Sequence, residues 1–264
     1  MSAVLMRRAL GWATPILSLV GLLAVWEWAV GARILRESFF PPPSGIWQQA
    51  TMLYASGGLA GHVAATVARL VAAFLLAALP GVAVGLLTGL SATAREAFDP
   101  FVAFIYPIPS LLYLPLAALV LGPGELPAAL VCAVTPFFVI ALNTALGVRS
   151  IDRPTVEAAV HYGATGRRLF QKVLLPGALP YVLVGFRVGL GLTLIVLIAV
   201  EMVSAKQGLG ALLWQSWEIL RVRNMYVGLA LIATLGVLVT SGFDAIARRL
   251  VPWHQGPARS TRRP

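Results

Sequence analysis

The sequence predicts an all-α membrane protein: six transmembrane helices in one domain, with both termini cytoplasmic. Three observations lead there. First, 59% of the 264 residues are hydrophobic and only 11% are charged, with a mean hydropathy of +0.85. Soluble domains carry roughly 25% charged residues, so this chain lacks the polar surface to cover a globule in water. That excludes a soluble enzyme and a disordered protein, and a single cysteine, Cys132, excludes an intrachain disulfide scaffold. Second, six apolar runs approach the ~20 residues that a spanning helix needs, and backbone amides in lipid must bond within the run. Alternating ten-residue segments of a membrane barrel do not occur in the sequence. Third, the basic residues are unevenly placed. With the N-terminus inside, 13 of the 20 fall in cytoplasmic segments and 5 outside (Arg33, Arg36, Lys206, Arg221, Arg223), while Arg69 and Arg187 lie within runs. The same asymmetry explains the net charge of +10 better than nucleic-acid binding does.

Taken in order, residues 1–11 form a cytoplasmic N-terminus and the first span covers 12–30. Arg7 and Arg8 precede it as in a signal peptide, but Trp26-Glu27-Trp28 closes the run without a small-residue cleavage site, so the span is read as retained. The outside loop opens on Pro41-Pro42-Pro43, which cannot be helix interior. Ser44 is expected to cap a short interfacial helix with Ile46, Trp47, Ala50 and Leu53 on one face. The second span, 63–90, places Ala73, Ala77, Gly81, Gly85 and Gly89 four residues apart, and the fifth repeats this with Gly185 and Gly189. Such ridges let helix backbones approach closely, within one chain or between subunits.

The third span, 101–121, holds Pro107, Pro109 and Pro115 and is expected to be bent or interrupted. A tight turn at 122–125 leads to the fourth span, 126–147, which contains Pro136 as the second contains Pro80. The fifth span is 180–202 and the sixth 225–247. Between them, Leu213, Trp217 and Leu220 mark an outside amphipathic stretch. Asp244 and Arg248, one turn apart, are expected to pair at the inner end of the last span. The tail, 251–264, is basic and expected to be disordered. No internal repeat stands out.

Charges inside spans are costly and usually functional. Arg187 lies roughly 16 Å beyond Pro176 at 1.5 Å per residue, near mid-membrane. Glu201 falls near the outer end of the same helix, and Arg69 in the outer part of the second span. Two readings stand: structural pairing with carbonyls or a carboxylate, or an electrostatic element of a substrate path. Arg187, Glu201 and Asn143 are the candidates for such a path. No metal site is expected, since His62 is placed outside and His161 and His254 inside. No phosphate-binding Gly-x-x-x-x-Gly-Lys-Ser/Thr loop occurs, so the chain is not expected to be an ATPase or any other enzyme.

The longest inside loop, 149–176, is the most informative segment. Pro154 suits a first helical turn, Glu157-Ala158-Ala159 favours helix, and Gly163 and Gly166 end it. A second short helix from Arg167 carries Leu169, Phe170 and Val173. A small basic, partly apolar two-helix unit is therefore expected to project into the cytoplasm, suited to a groove on another protein.

This loop resembles the EAA loop of ATP-binding-cassette (ABC) importer permeases. Glu157-Ala158-Ala159, Gly163, Val173 at the usual Ile position and Leu175-Pro176 keep that family's spacing. Further stretches resemble the nitrate/sulfonate/taurine group: Pro41-Pro42-Pro43-Ser44 before Ile46-Trp47, Asp99-Pro100, Tyr106-Pro107-Ile108-Pro109, Leu142-Asn143-Thr144, Gly185-Phe186-Arg187-Val188-Gly189, and Ala199-Val200-Glu201-Met202 before Gly208-Leu209-Gly210. The sequence departs at 121–125, Leu-Gly-Pro-Gly-Glu, where an aromatic pair is common in the group.

The resemblance implies a type I importer bundle in a bacterial cytoplasmic membrane. It implies a second permease subunit, expected to be a copy of this one, two separate ATPase subunits that bind ATP and Mg and dock on the EAA loops, and an extracytoplasmic solute-binding protein. Glu157, Ala158, Ala159, Gly163, Leu175 and Pro176 would couple to the ATPase, with no cofactor on this chain. The cargo implied is a sulfonate, taurine, nitrate or a similar anion; bicarbonate and aromatic or vitamin-precursor ligands use the same machinery. An ion-coupled secondary transporter would need acids within spans and a repeat between halves. An intramembrane hydrolase would need a nucleophile and a base at one depth. Neither explains the EAA spacing.

Overall fold

The computed structural model describes residues 2–251. It is built of helices, and among the described residues there is no strand. The disorder expected for the tail, 251–264, lies outside the described residues except at Val251, which is buried. α1 (Ser2–Gly31) extends the first expected span toward the N-terminus. α2 (Pro43–Ala55) is the short loop helix. α3 (Gly58–Leu90), α4 (Ala92–Ile105), a 3-10 turn (Ser110–Tyr113), α5 (Leu114–Leu121) and α6 (Glu125–Arg149) follow. α7 (Arg153–His161), α8 (Gly166–Leu169) and a π turn (Phe170–Leu174) lead into α9 (Leu175–Ser204), then α10 (Leu209–Glu218) and α11 (Val222–Leu250).

By length and hydropathy, four helices among the described residues can cross a membrane: Gly58–Leu90, Glu125–Arg149, Gly166–Ser204 and Val222–Leu250. A fifth crossing results if α4 and the segment Ser110–Leu121, which meet at 88°, count as one broken span. The apolar stretch of α1, Leu17–Gly31, is shorter. The third run is therefore not one helix over 101–121. Pro107 and Pro109 have no N–H to continue the helical ladder, so the chain turns there although Tyr106 itself keeps helical angles. Upstream, the helix begins nine residues earlier than the apolar run suggests, because Ser91 accepts the Ala94 N–H at 3.2 Å and caps it. Pro100 does not end α4. It lies exposed within the helix.

Ser44 is not the cap of α2. The helix starts at Pro43, with Pro42 in the cap position. Glu27 of α1 instead accepts the Ser44 N–H at 3.0 Å and the Ser44 hydroxyl at 2.6 Å. A carboxylate from another helix does the work of a local hydroxyl and ties α1 to α2.

The bundle centres on α6, packed between α3 and α9. The small-residue ridge makes this possible. A Cβ at Gly81 would stand 3.0 Å from Ile140, at Gly85 2.5 Å from Thr144, and at Gly89 2.7 Å from Val148. From the other side, Gly185 meets Asn143 and Gly189 meets Ile140, each at 3.0 Å. The ridges thus pack helices of the same chain. One apolar cluster gathers Leu70, Ala73, Val131, Cys132, Leu194, Leu197 and Val200, and a second Ala77, Ala78, Ala133 and Ile140. The apolar length of α11 stays on the outside, with burial confined to Asn224, Val227 and Gly228 near its start.

Candidate functional site

Two regions at opposite ends of the bundle hold the residues of interest. At one end, α6 finishes and α9 begins, and the two-helix unit sits between them. Asp152 caps α7: its carboxylate accepts the Thr155 N–H at 3.3 Å and the Thr155 hydroxyl at 2.8 Å. Pro154 follows in the first turn, where a missing N–H costs nothing. Glu157 is exposed and lies 3.9 Å from Arg153, one turn back. Gly163 has φ +83 and Gly166 φ +49, both left-handed, so the chain reverses between α7 and α8 where only glycine turns without strain. Tyr162 at the tip is 93% exposed, and Val160 beside it is exposed as well. An apolar residue and an aromatic ring held out from a short, capped, reversed helix are what a partner groove would receive.

The link from this unit to α9 is a π turn. Leu175 N–H bonds the Phe170 carbonyl rather than that of Gln171. Pro176 is the cause we assign: it has no N–H for the Lys172 carbonyl, and its ring would crowd that carbonyl in a regular α-helix. Widening by one residue relieves the crowding. Leu175 and Pro176 therefore shape the joint between the unit and the spanning helix.

At the far end, about 36 Å along α6 at 1.5 Å per residue, charges converge. The Glu201 carboxylate is 1% exposed. It faces the Thr66 hydroxyl at 2.9 Å, Arg69 Nη1 at 2.9 Å and the Gly210 N–H at 3.0 Å. Gly210 lies in the first turn of α10, so Glu201 of α9 closes that helix end. Thr66 accepts the Leu209 N–H at 2.8 Å, and His62 Nδ1 lies 2.8 Å from the Gly208 carbonyl. Arg69 also donates to the Gln207 carbonyl. Its other edge, Nε and Nη2, meets both oxygens of Glu125 at 2.6 Å. Among the described residues, no group of three His, Cys, Asp or Glu side chains is placed to hold a metal.

Arg187 does not stand alone in mid-helix. Its Nε lies 2.7 Å from Asp244 Oδ1 of α11. Asp244 therefore pairs across helices and not with Arg248, which is exposed one turn further along. In apolar surroundings two opposite charges neutralise each other, whereas Arg248 at the helix end reaches a polar environment. Asn143 sits where α6 meets α9 and donates to the Val139 carbonyl of its own helix at 2.8 Å. The structure thus brings Glu201 to Arg69, and separates both from Arg187 and Asn143. Sequence reading missed Asp152 and Glu125; the signal for Glu125 was that it and Arg69 both lie near the same end of neighbouring spans.

Comparison with known proteins completes the picture. Residues 81–253 match the family described as binding-protein-dependent transport system inner membrane components. The chain is similar to the taurine transport system permease protein TauC of Escherichia coli (strain K12), 34% identical over 260 residues, which is 94% of each chain. It is also similar to the putative aliphatic sulfonates transport permease protein SsuC of the same organism, 34% identical over 94% of this chain and 92% of that one. The bicarbonate transport system permease protein CmpB of Synechocystis sp. is 27% identical over 90% and 88%. Among solved structures, a chain of the MetNI methionine ABC transporter in an inward-facing conformation matches with a TM-score of 0.57 and 23% identity, over 70% of this chain and 94% of that one.

Proposed function

The chain belongs to the family of binding-protein-dependent transport system inner membrane components, and from that premise we propose that it is the permease subunit of an ATP-driven importer for a small anion of the sulfonate, taurine or nitrate kind. It lies in a bacterial-type cytoplasmic membrane with both termini and the 153–169 unit on the cytoplasmic side. Two copies form the pore. Two ATPase subunits, which bind and hydrolyse ATP with Mg, dock on the two exposed units. An extracytoplasmic binding protein delivers the solute.

One observation supports this reading above the others. The unit carrying Glu157 and Gly163 is exposed, apolar at its tip, and joined to α9 through the π turn at Phe170–Leu174. A push on α7 and α8 reaches a 30-residue helix directly, which suits rigid-body coupling of a two-state bundle. The names of the relatives favour a sulfonate over other cargo, and two guanidinium groups, of Arg69 and Arg187, suit planar recognition of an oxyanion. In this reading Arg187 and Asn143 border the path.

The test is reconstitution. The chain is co-purified with a partner ATPase, combined with a cognate binding protein and placed in liposomes. We expect ATP-dependent uptake of taurine or ethanesulfonate, and no ATP hydrolysis by the chain alone. Uptake that ignores ATP, or that carries only neutral or cationic solutes, overturns the proposal.

A further inference from the structure

Arg69 is held from two sides that differ sharply in exposure. Nη1 is fixed by Glu201, 1% exposed, and by the Gln207 carbonyl. These partners set the plane of the guanidinium. The Nε–Nη2 edge faces the other way and meets Glu125, whose side chain is 70% exposed. The inner partner cannot leave without stranding a buried charge. The outer one regains water as soon as it leaves, so only the outer contact is easily exchanged.

Beside that edge lies a cavity of ≈ 570 Å³, within the range of small-molecule sites. Leu114, Ala118 and Leu197 give it an apolar wall, while Lys206 and Ser204 add a cation and a hydroxyl. Lys206 forms no ion pair among the described residues. Arg69 and Glu201 cancel each other, and Lys206 offsets the charge of Glu125, so the lining carries no net negative charge against an incoming anion.

Glu125 stands at a helix end. It is the first residue of α6 and follows the turn at Gly122, which has φ +79 and no atoms within 4 Å of an added Cβ. A displaced carboxylate would stay near the α6 N-terminus, where the helix dipole favours a negative charge.

We propose that the Nε–Nη2 edge of Arg69 is an oxyanion-binding site, kept occupied by Glu125 as an internal ligand that an incoming sulfonate or carboxylate displaces. The site lies at the end of the bundle opposite the coupling unit. This rests on the reading of the chain as an anion permease and adds the residue that meets the anion first. Glu125 imitates the cargo: it makes the bidentate contact that a sulfonate would make, and it prevents the fork from standing open when no cargo is present.

The experiment uses the permease–ATPase complex in nanodiscs, with ethanesulfonate as the probe and calorimetric titration as the readout. An internal ligand that fills the site nine-tenths of the time weakens apparent affinity about tenfold. Glu125→Gln is therefore expected to bind ethanesulfonate at least about tenfold more tightly than the wild type, and Glu125→Gln combined with Arg69→Lys is expected to lose that gain. Binding no tighter in Glu125→Gln, or a gain that survives Arg69→Lys, overturns the site and leaves Glu125 as a latch between α3 and α6.

A second readout leaves Arg69 intact. In a Cys132→Ala background, Glu125→Cys should react faster with an anionic methanethiosulfonate reagent than with a cationic one, and ethanesulfonate should slow that reaction. No protection overturns the site. Uptake is scored separately: a Glu125-dependent site without uptake of any anion defeats the cargo reading alone, and sulfonate uptake with no response to Glu125 defeats the site alone.

Discussion

Arg187 Nε lies 2.7 Å from Asp244 Oδ1 and joins α9 to α11 beside the edge-on contact of Phe186 with Phe243. The Arg187 side chain nevertheless remains 56% exposed within this chain. Its fork has a second edge that Asp244 does not occupy. That combination, a charge held in place with donors to spare, suits a wall of an anion path. We expect Arg187→Ala to leave the complex assembled with its basal ATP hydrolysis, and to cut sulfonate uptake about tenfold or more, the effect of ~1.4 kcal/mol. Uptake in proteoliposomes and ATPase rate on the same preparation check it. Unchanged uptake removes Arg187 from the path, and lost assembly makes the pair structural.

Glu201 calls for the opposite pattern. Thr66, Arg69 and the Gly210 N–H all point at one enclosed carboxylate. Glu201→Leu removes that acceptor from all three, and because Arg69 keeps Glu125 the loss should reach at most the about 3–5 kcal/mol of a broken buried pair. Glu201→Gln keeps the hydrogen-bonding shape and loses only the charge, so its loss should be smaller. Thermal melting of the purified chain in nanodiscs reads the order: wild type, then Gln, then Leu. A Leu variant as stable as the wild type would show that the cluster does not hold α9 to α10.

The two-helix unit at 153–169 was legible because its signals are local. Glycines at left-handed turns, a proline in a first turn and the EAA spacing all act within twenty-odd residues. The ridge of Gly81, Gly85 and Gly89 was legible for the same reason: close packing leaves a four-residue period on one strip of sequence. The charge cluster was not. Arg69 finds Glu125 and Glu201 at separations of 56 and 132 residues, and only the docking of α3, α6 and α9 brings them together. Asp244 shows the same limit from the other side. The one-turn rule pointed to Arg248, but a partner on another helix won because it neutralises a charge within an apolar segment. Glu27 likewise displaced a local cap at Ser44. Prolines marked the break near Tyr106 correctly, yet Pro100 was tolerated within α4.

Gly85 is the tightest point of the ridge, with Ala141 O and Thr144 Cβ each 2.5 Å from an added Cβ. A side chain there must push α3 off α6. Gly85→Leu is expected to destabilise the chain by about 1–3 kcal/mol or more through overpacking. Gly21→Ala in α1, where nothing lies within 4 Å, should be neutral or stabilising by about 0.5–1 kcal/mol, since alanine favours helix over glycine. The two melting temperatures should move in different directions or by clearly different amounts. Equal shifts would mean that the contact between α3 and α6 is not a close one in the membrane.

Gly163 lies at φ +83 with open space around it, so a side chain there would meet strain and not a clash. Left-handed backbone costs a non-glycine residue about 1–2 kcal/mol, which is enough to reopen the turn between α7 and α8 but far too little to unfold the bundle. Gly163→Leu should therefore insert, fold and melt nearly as the wild type does, while transport falls. Glu157→Lys should act by another route. It replaces an acid in the first half of α7 with a cation facing Arg153, 3.9 Å away in the wild type, and reverses the charge offered to a docked partner. Co-purification of the ATPase and substrate-stimulated hydrolysis separate two kinds of defect: loss of docking lowers recovery of the ATPase, and loss of coupling leaves the ATPase bound but insensitive to cargo. We expect Glu157→Lys to lose docking and Gly163→Leu to lose coupling. Wild-type transport by both would detach the 153–169 unit from the ATPase altogether.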